Sequence, residues 1–193
     1  MSRGPEEILE EWLVIEARSG RPAALQALAR RWHPRLVAHA YRRTGQPEAA
    51  AEVVQEAWIA IIRGLRGLED PARFRVWAHR IVDRKAFDWI RQRRRGRELV
   101  SRLADDPSLH GPGCDPGAEA RRRESEGREE SIDRLRSALR RLPDDSRILL
   151  ALFYVDGLSV VEIAEALSLR EGTVKSRLFH ARNRLRETLE ARP

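Results

Sequence analysis

An all-α fold is what the sequence predicts, on three observations. Apolar residues recur at helical spacing through most of the 193-residue chain, alternating β-branched runs are absent, and Pro and Gly crowd into one short window. That window, residues 107–117, holds Pro107, Gly111, Pro112, Gly113, Pro116 and Gly117, more breakers than a helix survives. It divides the chain into two small helical domains, residues 9–97 and 131–190, joined by a flexible linker over 98–130. All five tryptophans precede the window.

Composition narrows the function classes. At 41% hydrophobic and 35% charged, the chain can build packed cores, which argues against wholesale disorder. The net charge is +7, and all the basic residues except Lys85 and Lys175 are arginine. Codon usage explains such a skew as readily as phosphate binding does, so the position of charge is the better guide. Residues 1–97 carry +8, residues 98–131 carry −4 and residues 132–193 carry +3. The acidic linker is expected to stay solvated, with a reach of about 110 Å fully extended and about 30 Å as a coil. The single cysteine, Cys114, excludes an internal disulfide or a Cys-rich zinc site and fits a reducing cytoplasm. No apolar run approaches the ~18 residues of a membrane span, and Met1–Glu11 lacks signal-peptide order. No membrane insertion, no cofactor and no metal is expected.

In the first domain, Pro47 suits a first helical turn, and Val54, Trp58, Ile61 and Leu65 line one face of a helix over 47–66. Glu48, Glu52 and Glu56 form an acidic stripe on it. On a basic domain such a stripe suits a protein partner, although an ordinary solvated face accounts for it too. The next helix, from Phe74, has Trp77, Ile81, Ala86 and Ile90 on its expected core side, with Trp89 and Phe87 read as packing. Arg73, Arg75, Arg80, Arg84 and Lys85 supply charge, and Arg91, Arg93, Arg94, Arg95 and Arg97 close it. Basic residues interleaved with aromatics suit single-stranded DNA: arginines follow phosphates and rings stack on unpaired bases. The terminal arginines also suit the negative end of a helix dipole.

In the second domain, a helix with Ile148, Leu149, Leu152 and Phe153 ends at Asp156-Gly157. Ser159 and Glu162 form a capping box for the next, with Leu158 and Ile163 as the staple. Val160, Ile163, Ala164 and Leu167 share its apolar face. After a break at 168–172 a longer helix runs from about Thr173 to Leu189, its buried stripe Val174, Leu178, Ala181, Leu185 and Leu189. Two helices on a tight turn suggest a helix-turn-helix. From Thr173 to Arg186 this helix carries five basic residues and no acid, as a recognition helix would; a basic solvated helix in a bundle is the plain alternative.

The run 158–167, the segment Gly172-Thr-Val-Lys-Ser-Arg-Leu, and the pairs Ala181-Arg182 and Leu185-Arg186 resemble region 4 of bacterial sigma-70-family factors; output domains of the LuxR type carry related sequences. The Glu52-Val-Val-Gln-Glu core, Phe74 and Trp77, Arg80-Ile81 and the closing arginine run resemble region 2 of extracytoplasmic-function (ECF) sigma factors. The resemblance implies −35 recognition by Thr173, Lys175, Ser176, Arg177, Phe179, His180 and Arg182. It implies −10 recognition and strand opening by Arg73, Phe74, Arg75, Trp77, Arg80, Arg84, Lys85 and Arg91. It assigns core-polymerase docking to Glu48, Glu52, Gln55 and Glu56, against the β′ clamp helices, with the β flap as a further contact. Alanines 49–51 and His180 stand where the family often has acids and an arginine. The implied partners are core RNA polymerase and double- and single-stranded promoter DNA, and such factors are commonly held by an anti-sigma factor. A bacterial cytoplasm, and the nucleoid when in holoenzyme, is the implied location.

Three classes compete. A stand-alone helix-turn-helix regulator explains the second domain and leaves the first unexplained. An enzyme finds no support in paired carboxylates, a metal-ligand cluster or a phosphate-binding glycine loop, and the five histidines are scattered. An ECF sigma factor accounts for both domains.

Overall fold

The structure, a computed structural model, describes residues 4–101 and 126–190, with side chains described for 4–95 and 132–190. Cys114 and the breaker-rich window lie outside the described residues. Every extended element among the described residues is helical: α1 (Pro5–Arg18), α2 (Pro22–Thr44), α3 (Pro47–Gly64), α4 (Phe74–Ser101), α5 (Glu126–Arg140), α6 (Asp144–Tyr154), α7 (Val160–Ala166) and α8 (Glu171–Glu190). Two short turns of tighter helix, Leu65–Gly67 and Pro71–Arg73, connect α3 to α4.

Proline starts the first three helices, at Pro5, Pro22 and Pro47. Each supplies a preset φ where an N–H would lack an intrahelical partner anyway. Helices α1 to α4 enclose one core of Val14, Leu28, Trp32, Leu36, Val54, Ile61, Phe74, Val82 and neighbouring residues. Gly64 lets α3 end against α4: a Cβ there would lie 2.8 Å from Cζ2 of Trp77.

The core side of α4 differs from the sequence expectation. Phe74, Ala78, Val82 and Ala86 are buried, while Trp77, Ile81 and Ile90 are only partly so. Phe87, read as packing, is 65% exposed. The reason is that α4 is covered on two sides. Its Val76, 2% exposed, belongs to the apolar cluster of the second domain, with Leu142, Ile148, Leu152, Leu158, Ile163 and Val174. The two domains therefore pack directly, α7 against α4 and α6 against α2.

The histidines are not all scattered either. His39 of α2 and His79 of α4 are fully buried, their rings 4.9 Å apart and nearly perpendicular. His39 Nε2 lies 3.5 Å from Asp83 Oδ1, and His79 Nε2 lies 3.6 Å from Asp156 Oδ2 of the second domain. Burial pushes His79 well below the usual imidazole range, and the neighbouring His39 and the charges of Arg42 and Arg35 add to this. Burial also raises the Asp156 carboxyl, against the pull of Arg42, His39 and Arg35. Asp83 goes the other way: burial would raise it, but His39 and the Arg43 guanidinium at 2.6 Å hold it below the usual carboxylate range.

Candidate nucleic-acid and polymerase interfaces

The helix-turn-helix is α7 and α8. Ser159 caps α7 in the expected box: its N–H donates to Glu162 Oε2 at 2.8 Å, and the Glu162 N–H donates to Ser159 Oγ at 3.3 Å. Leu158 and Ile163 are buried in one cluster, as a staple requires. Gly157, at φ +68°, makes the reversal before the cap in a region an L side chain rarely adopts. The turn closes with the Leu169 N–H donating to the Ala164 carbonyl at 2.8 Å. α8 then buries Val174, Leu178 and Ala181, while Leu185 is only partly covered and Leu189 is exposed.

That burial fixes the opposite face. Lys175, Ser176, Arg177, Phe179, His180 and Arg182 are exposed, and Thr173 is half-buried at the helix start. Phe179, 56% exposed, meets the His180 ring edge-on at 5.6 Å. Arg177 Nη1 sits 3.3 Å from Asp145 Oδ2, so this guanidinium already has a carboxylate partner. The Arg182 Nε donates to the Leu178 carbonyl at 3.2 Å. The residues expected at the −35 element thus lie on the side of α8 away from its buried stripe, with positive charge, polar groups and an exposed ring.

In the first domain the expected −10 residues divide three ways. Arg80, Arg84 and Arg91 are exposed and fall with Phe87 at helical spacing, so α4 presents a stripe Arg80, Arg84, Phe87, Arg91. Sequence reasoning missed Phe87 as a surface group; the signal was its position between arginines one turn away on either side. A second group borders an open pocket lined by Gly64, Leu68, Asp70, Arg73, Trp77 and Arg80, with Glu165 of α7 at its edge. Arg73 is ion-paired with Glu165. The remaining residues face elsewhere. Phe74 is fully buried, its ring 5.8 Å from Trp32 and 6.2 Å from Trp77. This contradicts its expected place on the DNA-binding surface: a ring with no exposed area positions the start of α4 and offers no face to a base. Arg75 lies near Glu7 at 3.3 Å and Glu10 at 3.8 Å, where burial raises the Glu10 carboxyl and Arg75 opposes that rise. Lys85 Nζ lies 2.9 Å from Glu56 Oε2.

Glu48, Glu52, Gln55 and Glu56 are all exposed on α3. Two of them also contact α4, through Lys85 on Glu56 and the Trp89 indole N–H donating to Glu52 Oε2 at 3.2 Å. The Trp89 ring is in turn covered by Arg93, 5.0 Å from its centroid. Of the three alanines that precede Glu52, Ala49 and Ala50 are buried and only Ala51 faces solvent. The exposed face continues through Ile59 and Ile62, which sequence reasoning also missed. With Glu52 and Gln55 they follow helical spacing, so this face is acidic at one end and apolar at the other.

Comparison with known proteins places this architecture. The family description "Sigma-70 region 2" matches residues 28–96, and "Sigma-70, region 4" matches residues 132–185. The "ECF RNA polymerase sigma factor SigE" of Mycolicibacterium smegmatis is 33% identical over 162 residues, 84% of this chain and 60% of that protein. This chain therefore spans about 60% of that relative's length. Among solved structures, CnrH in complex with the cytosolic domain of CnrY matches with a TM-score of 0.59 and 26% identity, over 96% of this chain and 99% of that one. The sigma factor RpoE of Bartonella quintana, solved with the anti-sigma factor NepR, shares the fold at a TM-score of 0.61 and 23% identity, over 88% and 98% of the two chains. The two matched regions together span more than half of the chain, which belongs to the sigma-70 family; the relatives it matches include proteins named ECF RNA polymerase sigma factors.

Proposed function

We propose that the chain acts as a sigma factor, directing core RNA polymerase to specific promoters and promoting initiation. The observation that carries this reading is the Arg80-Arg84-Phe87-Arg91 stripe, which lies on a different domain from the helix-turn-helix. A stand-alone operator-binding regulator has no use for it, whereas a factor that captures melted DNA needs both guanidinium groups and a free ring.

In this account α8 enters the major groove of the −35 element. Thr173, Lys175, Ser176, Phe179 and His180 face the bases and backbone, and Arg177 and Arg182 face phosphates. The α4 stripe follows the −10 strand, and the pocket between Asp70, Arg73 and Trp77 receives an unstacked base. Glu48, Glu52, Gln55 and Glu56, extended by Ile59 and Ile62, dock on the β′ clamp helices, and the second domain adds the β flap. The role is recruitment and strand opening, with the chemistry left to the polymerase, which puts the chain in the bacterial cytoplasm and on the nucleoid when in holoenzyme. The Bartonella sigma factor was solved bound to an anti-sigma factor, which supports a partner of that class here.

Run-off transcription with core polymerase on a promoter library tests the proposal. Promoter-specific transcripts are expected. Their absence, together with tight operator binding by the chain alone, would favour the stand-alone regulator.

A further inference from the structure

The first helix has two apolar faces. Leu13 and Val14 of α1 are buried in the core of the first domain, and Ala17 packs against it. On the opposite side Ile8, Leu9, Trp12 and Ile15 are 58%, 47%, 52% and 47% exposed. They lie at helical spacing and form one stripe centred on Trp12. α1 precedes residues 28–96, the segment matched to region 2, and none of the roles proposed above falls on it. Single apolar residues on a surface need no explanation, but a tryptophan and three aliphatic side chains gathered on one exposed face mark an interaction site.

The charges and the symmetry of this face select its occupant. Glu6 is held by Arg31 at 2.8 Å, and Glu16 is ion-paired with Arg21. Two of the acids that border the stripe are thus neutralised within the chain, so two identical faces can meet without setting these carboxylates unpaired against each other. The stripe is also nearly symmetric, with Ile8 one turn before Trp12 and Ile15 one turn after it. A two-fold axis beside Trp12 therefore sets Ile8 and Leu9 of one copy against Ile15 of the other, as a self-complementary contact requires. Antiparallel pairing brings the acidic first turn of one α1, with Glu6 and Glu7, beside the Arg18 end of the other, and it opposes the two helix dipoles. Parallel pairing would place the two acidic first turns side by side.

We propose that this face binds a second copy of the chain: two free chains associate through antiparallel α1 helices, with the two Trp12 rings packed at the centre. Four half-exposed side chains from each copy make a contact smaller than the ~800 Å² per partner of a standard interface. The pair is therefore weak and concentration-dependent, with dissociation in the micromolar range.

Sedimentation velocity of the full free chain, from low to high micromolar concentration, tests the pairing. The average mass of wild type should rise toward that of a dimer. Trp12→Glu puts a carboxylate at the centre of the contact and should weaken association by about tenfold or more. A wild-type chain that stays monomeric over this range, or a folded Trp12→Glu that associates as strongly as wild type, would overturn the proposal. Should Trp12→Glu fail to fold by circular dichroism, Ile15→Lys at the edge of the stripe serves instead, and undiminished association again overturns it. The orientation is read by mixing Leu9→Cys and Ile15→Cys chains, each in a Cys114→Ser background, under mild oxidation. Disulfides between unlike chains are expected, whereas disulfides between like chains alone would overturn the antiparallel arrangement. The pairing does not rest on the sigma reading: loss of promoter-specific transcription would remove that reading and leave the sedimentation result to decide this one.

Discussion

Phe87→Ala isolates the role of the α4 stripe. The ring is 65% exposed, so its removal takes little from the folded chain. Surface substitutions of this kind stay within about 0.5 kcal/mol of wild-type stability. If the ring carries a base, the loss is about 1–3 kcal/mol per stacked base, which corresponds to about 5- to 150-fold in affinity. The exposed Arg84 and Arg91, a turn away on either side, remain to hold phosphates, so the salt dependence of binding should be unchanged. The assay is anisotropy of holoenzyme on a promoter with a pre-melted −10 segment, run at two or more salt concentrations beside thermal unfolding of the free chain. A weaker complex with the same salt slope and the same Tm is expected. Wild-type affinity for the pre-melted promoter would refute the stacking role and return Phe87 to an incidental surface residue.

Other predictions follow from the same geometry. Lys175→Ala should weaken −35-dependent binding and lower the magnitude of the salt slope by about one unit, measured by titration from low to high salt; an unchanged slope would exclude a phosphate contact. Ile59→Asp should reduce affinity for core polymerase by about tenfold or more, as for a residue buried in an interface, while −35 DNA binding by the free chain is unaffected. The pH dependence of folding follows from His79. Its folded pKa is depressed, so below about pH 6.5 the unfolded chain binds a proton that the folded chain does not, and stability falls with acidification. The raised carboxyl of Asp156 acts in the opposite sense, favouring the folded state toward acid pH above its ordinary value of 3.8. Thermal unfolding should therefore show Tm falling from about pH 7.5 to about pH 5.5, the range in which an ordinary imidazole takes up its proton, and His79→Phe should flatten that fall.

Much of the second domain was legible because its signals are local. The Ser159–Glu162 box, the Leu158–Ile163 staple and the stripe of Val174, Leu178 and Ala181 lie within a turn or two of one another. The first domain was harder to read for a physical reason. A helix packed on one side shows a single apolar stripe, and its phase can be read from the sequence. α4 is packed on two sides, so Val76 and His79 on its second face count as surface in a one-stripe reading. The phase then shifts, and Phe74 and Phe87 exchange roles. The His39–His79 pair was invisible for a related reason: forty residues separate its members, and only the crossing of α2 with α4 brings them together. Nothing in the linker composition pointed to direct contact between the domains, because that contact joins residues far apart in the sequence, Val76 and His79 of α4 with Asp156 and the apolar cluster of the second domain.

If the chain is a sigma factor, it holds two separated promoter elements at once, one through α4 and one through α8. Site-specific photocrosslinking reads both contacts in a single complex, with a photoreactive residue at Phe87 or at Phe179 in reconstituted holoenzyme on one promoter. Position 87 should crosslink to the melted −10 segment, and position 179 to the −35 duplex of the same complex. Crosslinks from both positions to one duplex site, or none from position 87 in a complex that transcribes, would contradict this arrangement.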